Sequence, residues 1–159
     1  MMNKIKNKEQ LISIIKKLKD EGKVVVATSG CFDILHAGHV LYLERAKEKG
    51  NILIILLNSD KSIRKLKGEE RPIIPEEERI IVVSGLECVD YVCLFDETNP
   101  CNLLEEIKPD IFVKGEDYKG VHIPEIDVLE RYGGKVELVG FLDGCSSSSI
   151  IEKIKGLVK

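Results

Sequence analysis

The segment KVVVATSGCFDILHAGHVLYLERAKEKGNILIILLN, which spans Lys23–Asn58, contains the pattern that decides the fold. It begins with a short apolar run, KVVVAT, that predicts a strand. A glycine-containing turn then leads into a helical pattern over Gly38–Lys49, with Gly50 at its C-terminal end. The segment closes with NILIILLN, whose apolar residues are typical of a central strand buried on both faces of a parallel sheet.

The same alternation of strands and helices continues along the rest of the 159-residue chain. Apolar residues at helical spacing predict an amphipathic helix over Lys8–Glu21 that ends at Gly22. The basic stretch DKSIRKLKGEERPIIPEEE is predicted to be irregular until Pro75 starts a helix that runs to about Leu86. Three further strands (YVCLF, DIFVKG and KVELVG) alternate with three helices. We therefore expect an α/β fold with a mostly parallel sheet flanked by helices. A single domain over 1–159 is expected, with 1–22 as an N-terminal helical extension.

Composition restricts the classes of partner. The net charge of −3 and the absence of Trp argue against nucleic acid as the main partner. No apolar run reaches the roughly 18 residues of a membrane span, and the charged N-terminus lacks the apolar centre of a signal peptide, so we expect a cytoplasmic protein without a membrane partner. The five cysteines show no CxxC spacing, which favours reduced thiols over a disulfide framework or a zinc site.

The turn after the first strand is a candidate anion site. Ligands of parallel α/β sheets bind beyond the carboxyl ends of the strands, and a helix that starts there offers free backbone N–H groups to a phosphate. His36 and His39 are three residues apart and would share one face of the first helical turn, while Gly38 would allow a close backbone approach. Two alternatives stay open on the residues alone: ordinary surface or capping histidines, and a zinc site, although no third ligand is evident.

Gly30-Cys31-Phe32-Asp33, followed by HAGH and a terminal serine cluster, resembles the nucleotidylyltransferases that carry an HxGH motif. The flanking segments LLNSDKSIRKLKGEERPIIPEEER, VKGEDY and DGCSSSSIIEKI are similar to the heptose 1-phosphate adenylyltransferases, from about Val24 to the end of the chain. The resemblance implies a Rossmann-like nucleotidylyltransferase fold and transfer of AMP from ATP to heptose 1-phosphate. ADP-heptose, a precursor of surface sugars, and pyrophosphate would be the products.

The resemblance also implies Mg²⁺ bound with the nucleoside triphosphate, because no acidic cluster in the sequence forms an obvious protein-only metal site. It implies a homodimer, with the N-terminal helix as a candidate contact. No kinase domain precedes the matched region, so a stand-alone form is expected.

By the same resemblance, His36 and His39 contact the triphosphate and stabilise charge at the α-phosphate, and Lys67 reaches the triphosphate. Asp33 would orient the reacting groups. The residues implied to bind nucleotide are Gly30, Cys31, Phe32, Asp33, Gly38, Asp117, Tyr118, Ser146, Ser147 and Ser148. The residues implied to bind the second substrate are Lys65, Asp60, Arg71, Arg79 and Lys114.

Several of these residues have plainer interpretations. Lys65 and Lys67 lie in a basic stretch that is expected to be a flexible loop, and both could simply be solvated. Arg79 follows three glutamates and could form an ion pair on a helix surface. The spacing from Ser149 to Glu152 is that of a capping box, so Ser149 could cap the last helix while the preceding serines bind phosphate.

Two rival functions are considered. The first is a cytidylyltransferase for glycerol 3-phosphate or a related alcohol phosphate, a family that usually has an arginine where this sequence has Phe141. The second is a non-catalytic nucleotide-binding module, which would retain the phosphate site but lose a charge-stabilising group. Both histidines, Lys67 and the serines are present, and this favours an enzyme.

Overall fold

The computed structural model describes residues 2–140, 142 and 144–157, and its centre is an all-parallel sheet of five strands in the order β3-β2-β1-β4-β5. This confirms the predicted α/β fold with a parallel sheet. β1 is the central strand, with β2 on one side and β4 on the other. The strands are β1 Val25–Gly30, β2 Ile52–Asn58, β3 Tyr91–Phe95, β4 Ile111–Gly115 and β5 Lys135–Val139.

Seven α-helices precede, connect or follow the strands in the described part of the chain. Within that part, no helix combines the length and apolar character that a membrane span requires. The helices are α1 Lys8–Asp20, α2 Ala37–Lys47, α3 Asp60–Lys67, α4 Glu76–Ser84, α5 Cys101–Ile107, α6 Pro124–Glu130 and α7 Ser147–Leu157.

Alternate residues of the strands pack into two separate cores, one on each face of the sheet. In β2, Leu53 points to the same face as α2 and α4, while Ile54 packs against α1, α5 and α6. Residues 53–57 are all fully buried, as predicted for a strand covered on both faces. The two helical layers therefore leave the carboxyl edge of the sheet as the place where loops from both faces meet.

The N-terminal helix is built into the second of these cores. Asn7 and Gln10 form a capping box at its start, and Leu11 and Ile15 are buried against the sheet. The helix ends at Asp20, one residue earlier than predicted. Because the apolar face of α1 packs within its own chain, this helix does not offer that face to a second subunit, and the homodimer stays a prediction.

The stretch from Asp60 to Lys67 was predicted to be irregular, and this prediction is wrong. Ser59 caps the helix α3 by accepting a hydrogen bond from the backbone N–H of Ser62, and Ile63 is fully buried. The sequence does not show this helix clearly, because few of its residues are apolar and basic side chains occupy most of the other positions. The next helix, α4, ends at Ser84, two residues before the predicted boundary.

Candidate active site

A cavity of about 510 Å³ opens at the carboxyl edge of the sheet. Its walls come from the ends of the first four strands and from the helices α2, α3 and α6. It lies where the strand order changes direction, with β2 and β4 on opposite sides of β1, which is the usual ligand position in open parallel sheets. The sequence-predicted residues in its wall are Gly30, Cys31, Phe32, His39, Lys67, Lys114, Asp117 and Tyr118.

The turn between β1 and α2 is held by a close contact between Gly30 and Phe32. Phe32 has a positive φ of 45°, an uncommon backbone conformation for a bulky residue, and its ring is buried. A Cβ at Gly30 would lie 2.8 Å from Phe32 Cε2, so only glycine leaves room for the ring. The Phe32 ring in turn packs edge-on against His39, with ring centroids 5.1 Å apart.

We therefore expect Gly30→Ala to displace Phe32 from His39. An added methyl group that must shift a buried ring costs about 1–3 kcal/mol, which urea unfolding measures. Gly156→Ala is the matched control, because a Cβ at Gly156 meets no atom within 4 Å. Equal stability of the two variants would contradict this account of the turn.

The two histidines form one stacked pair at the start of α2. His36 occupies the cap position, and its ring centroid lies 3.8 Å from that of His39, with 23° between the ring planes. The Nδ1 atoms of both rings are buried, and the backbone of Ile34 lies close enough to His39 to act on its pKa. A Cβ at Gly38 would come within 3.0 Å of His36 and 3.1 Å of Cys145, so this glycine allows the segment before α7 to approach the pair.

Burial lowers the pKa of His39 to about 4, and the neighbouring charges of His36 and Lys67 act in the same direction. Burial also lowers the pKa of His36. Both imidazoles are therefore neutral at pH 7, and each has one N–H group to donate. A neutral pair can donate hydrogen bonds to phosphate oxygens without the repulsion that two stacked imidazolium ions would suffer.

The low pKa of His39 predicts a pH dependence of stability. The unfolded imidazole takes up a proton near pH 6.5, whereas the folded one resists protonation down to about pH 4, so the free energy of unfolding should fall as the pH drops through this window. Urea unfolding of the ligand-free chain at several pH values would measure the slope. His39→Gln should flatten it. Identical slopes for the wild type and His39→Gln would contradict the assignment.

Lys67 lies on the last turn of α3, where its side chain contributes to the cavity wall. This corrects the predicted flexible loop, because a helix that is capped at Ser59 and anchored by Ile63 supports this lysine. Lys65 is on the same helix and is exposed, but it is not among the described residues of the cavity wall.

Asp33 and Arg71 hold each other behind the cavity wall. The Asp33 carboxylate is buried, accepts hydrogen bonds from the backbone N–H groups of Ile73 and Ile74, and pairs with Arg71, whose Nε is 2.7 Å away. Burial alone would raise the pKa of Asp33, but these hydrogen bonds and the guanidinium charge outweigh it and lower the pKa. The two side chains therefore fasten the 71–74 loop to the turn after β1. That Asp33 orients the reacting groups and that Arg71 binds the second substrate stay predictions.

Arg79 is a second buried anchor and not the helix-surface residue that was considered. Its side chain is fully buried, and its guanidinium donates to the carbonyls of Cys31, Asn58 and Ile74 at 2.7–2.9 Å. It also pairs with Asp60 at 2.7 Å. The guanidinium uses its donors to join the ends of β1 and β2. The substrate contacts of Arg79 and Asp60 stay predictions.

The segment after β4 forms another part of the cavity wall. Lys114, Asp117 and Tyr118 all contribute to it, as the sequence motif suggested. Sequence analysis missed Glu125, the second residue of α6, which is buried and forms an ion pair with Lys114. Acidic residues are common in the first turn of a helix, where they stabilise the helix dipole. The sequence therefore provides no reason to expect a role for Glu125 in the site.

The helix α7 begins beside the histidine turn. Ser146 caps it by accepting a hydrogen bond from the Ser149 backbone N–H at 3.0 Å, so the prediction that Ser149 is the cap is wrong. Ser147 Oγ donates to the Ile34 carbonyl at 3.3 Å, which fastens the helix to the turn, and Ser148 is exposed. None of the three serines is among the described residues of the cavity wall. Phe141, used in the comparison with cytidylyltransferases, lies outside the described residues.

Comparison with known proteins identifies relatives of this chain. The chain is 52% identical over 151 residues to the bifunctional protein HldE of Geobacter metallireducens, and 52% identical over 151 residues to that of Geobacter sulfurreducens. Each match covers 95% of this chain and 31% of the relative, so the chain spans about a third of the length of the curated relatives it matches.

Two solved structures have a similar fold. The lipopolysaccharide core biosynthesis protein from Thermoplasma volcanium GSS1 superposes with a TM-score of 0.63 and 32% identity, over 76% of this chain and 98% of that chain. Pantoate-beta-alanine ligase from Francisella tularensis superposes with a TM-score of 0.61 over 95% of this chain and 76% of that chain, and its 15% identity shows a shared fold alone. The Cytidylyltransferase-like family model matches residues 27–153. The chain therefore belongs to the cytidylyltransferase-like family of nucleotidyltransferases.

Proposed function

We propose that this chain transfers AMP from ATP to heptose 1-phosphate, with ADP-heptose and pyrophosphate as products. The observation that carries this proposal is the stacked, neutral pair His36–His39 at the first turn of α2, beside a cavity at the switch point of the sheet. Two N–H donors fixed at a helix N-terminus suit a phosphate group, because the helix dipole favours the same negative charge.

The proposed reaction needs no protein base. A phosphate oxygen of the sugar phosphate is already ionised at neutral pH and attacks the α-phosphorus of ATP. The new P–O bond forms as the bond to the β-phosphate oxygen breaks, and pyrophosphate leaves with that electron pair. The chain then contributes positioning and charge stabilisation, which are the main terms in phosphoryl-type transfers.

In this proposal, His36 and His39 donate to oxygens of the α-phosphate, and Lys67 supplies a positive charge to the triphosphate from the end of α3. Cys31 does not act as a nucleophile, since burial raises the pKa of its thiol and the reaction requires no covalent intermediate. The serines at the start of α7, next to the histidine turn, are proposed to bind triphosphate oxygens. Their hydrogen bonds to one another and to Ile34 hold this helix start in place before nucleotide arrives.

Mg²⁺ is proposed to accompany the triphosphate. In the described part of the chain, no group of three or more His, Cys, Asp or Glu side chains is placed to hold a metal ion. The cavity wall instead presents ammonium and imidazole groups, a donor set that fits phosphate oxygens. The ion would supply charge neutralisation on the phosphate chain, and Asp117 and Glu125 are the carboxylates of the cavity wall.

The choice of sugar phosphate rests on the resemblance of the sequence to heptose 1-phosphate adenylyltransferases. Similarity at 32% identity to a protein of lipopolysaccharide core biosynthesis supports the same class of substrate. We also propose that residues 1–159 act as one nucleotidylyltransferase domain. Its homodimeric state and cytoplasmic location stay predictions.

A matrix of nucleoside triphosphates against heptose 1-phosphate and glycerol 3-phosphate, with pyrophosphate release as the readout, tests this function. Turnover should be fastest with ATP and heptose 1-phosphate. A preference for CTP and glycerol 3-phosphate would support the cytidylyltransferase alternative. Nucleotide binding without turnover of either phosphate would support the non-catalytic module.

A further inference from the structure

Two oppositely charged side chains form a buried pair in the cavity wall. Lys114 Nζ lies 3.2 Å from Glu125 Oε1, and the exposed fractions of the two side chains are only 16% and 4%. Lys114 belongs to β4 and Glu125 to the first turn of α6, so the pair bridges a strand end and a helix start. Both residues contribute to the wall of the 510 Å³ cavity.

The fold gains little from such a pair. Removing two charges from water is costly, and apolar residues of similar size usually stabilise a protein equally well. The Lys114 ammonium is also held over two aromatic rings, 5.5 Å from the centroid of Phe112 and 5.0 Å from that of Tyr118. In the described residues, Lys114 is the only ion-pair partner of the Glu125 carboxylate, which leaves acceptor capacity on the carboxylate beside the cavity.

The histidine pair and Glu125 belong to helices on opposite faces of the sheet. The helices α2 and α4 pack on one face of the sheet, and α7 starts beside α2. Glu125 begins a helix that packs on the other face with α5, and the loop before α5 (98–100) contributes the adjoining wall. A ligand whose phosphate meets the histidine pair would therefore extend its remaining part toward Lys114 and Glu125.

We propose that the Lys114–Glu125 pair recognises adjacent hydroxyl groups of the sugar, which makes Glu125 a specificity-determining residue. This inference rests on the proposed function. The carboxylate accepts a hydrogen bond from one hydroxyl group, and the ammonium donates to the oxygen of its neighbour. Because the pair is neutral overall, it suits an uncharged polyhydroxyl group and adds no net attraction for phosphate. The Tyr118 ring, which is partly exposed, offers an apolar surface to the C–H face of the sugar.

The first test is the steady-state kinetics of Glu125→Gln. Since a hydrogen bond to a charged group is lost, KM for heptose 1-phosphate should rise about 10- to 100-fold, while KM for ATP stays unchanged. Analogues of heptose 1-phosphate that each lack one hydroxyl group should identify the partner. The analogue that lacks the recognised hydroxyl should lose affinity for the wild-type protein but show little further loss with Glu125→Gln.

Glu137→Gln is the matched control, because Glu137, on β5, forms an ion pair with Lys49 and is not among the described residues of the cavity wall. It should leave both KM values unchanged. Replacing the whole pair, as Lys114→Met with Glu125→Leu, separates stability from recognition. This double variant should fold at least as stably as the wild type and still lose the preference for the full sugar.

Each way in which the inference could be wrong gives a different result for the KM values and the stability. A rise in KM for ATP alone would assign the pair to the nucleoside and overturn the inference. Unchanged KM values with lower stability would show that the pair is only structural, and would overturn it too. In both cases the wild type would still turn over heptose 1-phosphate, so the proposed function would stand. If the wild type released no pyrophosphate with this sugar phosphate and any nucleotide, the proposed function and the inference would fall together.

Discussion

His39→Ala should lower kcat for pyrophosphate release by about 10²- to 10³-fold, the usual cost of removing one preorganised donor that stabilises developing charge. The imidazole of His39 lies in the cavity wall, stacked on His36 and packed against Phe32. Its proposed partner is the α-phosphate, where charge rearranges as pyrophosphate leaves. His36→Ala should have an effect of similar size, because the two rings form one unit.

The control for these variants is His122→Ala. His122 is exposed, pairs with Asp127 at 3.1 Å, and is not among the described residues of the cavity wall. It should retain the wild-type rate. Thermal unfolding of all three variants would separate a loss of chemistry from a loss of structure. A near-wild-type rate for His39→Ala or His36→Ala would show that the assigned role is wrong.

Arg79→Met should destabilise the chain by about 3–5 kcal/mol, the range observed when one partner of a buried charged network is removed. The guanidinium donates to three carbonyls and to Asp60, and its loss leaves those acceptors without their common donor. Urea unfolding measures the change. Arg79→Lys should restore only a small part of the lost stability, because a single ammonium group cannot reproduce the planar set of donors of the guanidinium.

Arg131→Met is the matched control for this experiment. Arg131 pairs with Glu105 on the surface, where both side chains are about half exposed, and exposed ion pairs contribute at most about 1 kcal/mol. Arg79→Met should also raise KM for ATP, because Arg79 holds the carbonyl of Cys31 in the nucleotide turn. Equal stability losses for the two arginine variants would refute the structural role of Arg79.

Local sequence patterns were sufficient for the architecture. The alternation of strands and helices, the doubly buried strand over 52–58 and the histidine turn all depend on residue spacing within short segments. The need for glycine at positions 30 and 38 was also predictable from the local sequence, because the backbone must approach closely in a turn that precedes a helix. These features required no knowledge of which distant segments meet.

The long-range ion pairs could not be predicted from local patterns. Asp33 with Arg71, and Asp60 with Arg79, form pairs across 38 and 19 residues, and Lys114 pairs with Glu125 across a turn and a helix start. A charged residue on its own favours a solvated position, so its burial becomes evident only when its partner is known. The helix α3 was missed for a related reason, because its buried residues are few and lie among basic ones.

The central strand β1 is bordered by β2 and β4, and Ser147, near the end of the chain, bonds to the turn that follows β1. During synthesis on the ribosome, β1 and β2 emerge together, but the neighbour on the other side of β1 emerges more than fifty residues later. The cavity at the end of β1 therefore needs segments that leave the ribosome well after the first pair of strands. The first sheet hydrogen bonds can consequently form before the wall of the cavity is complete.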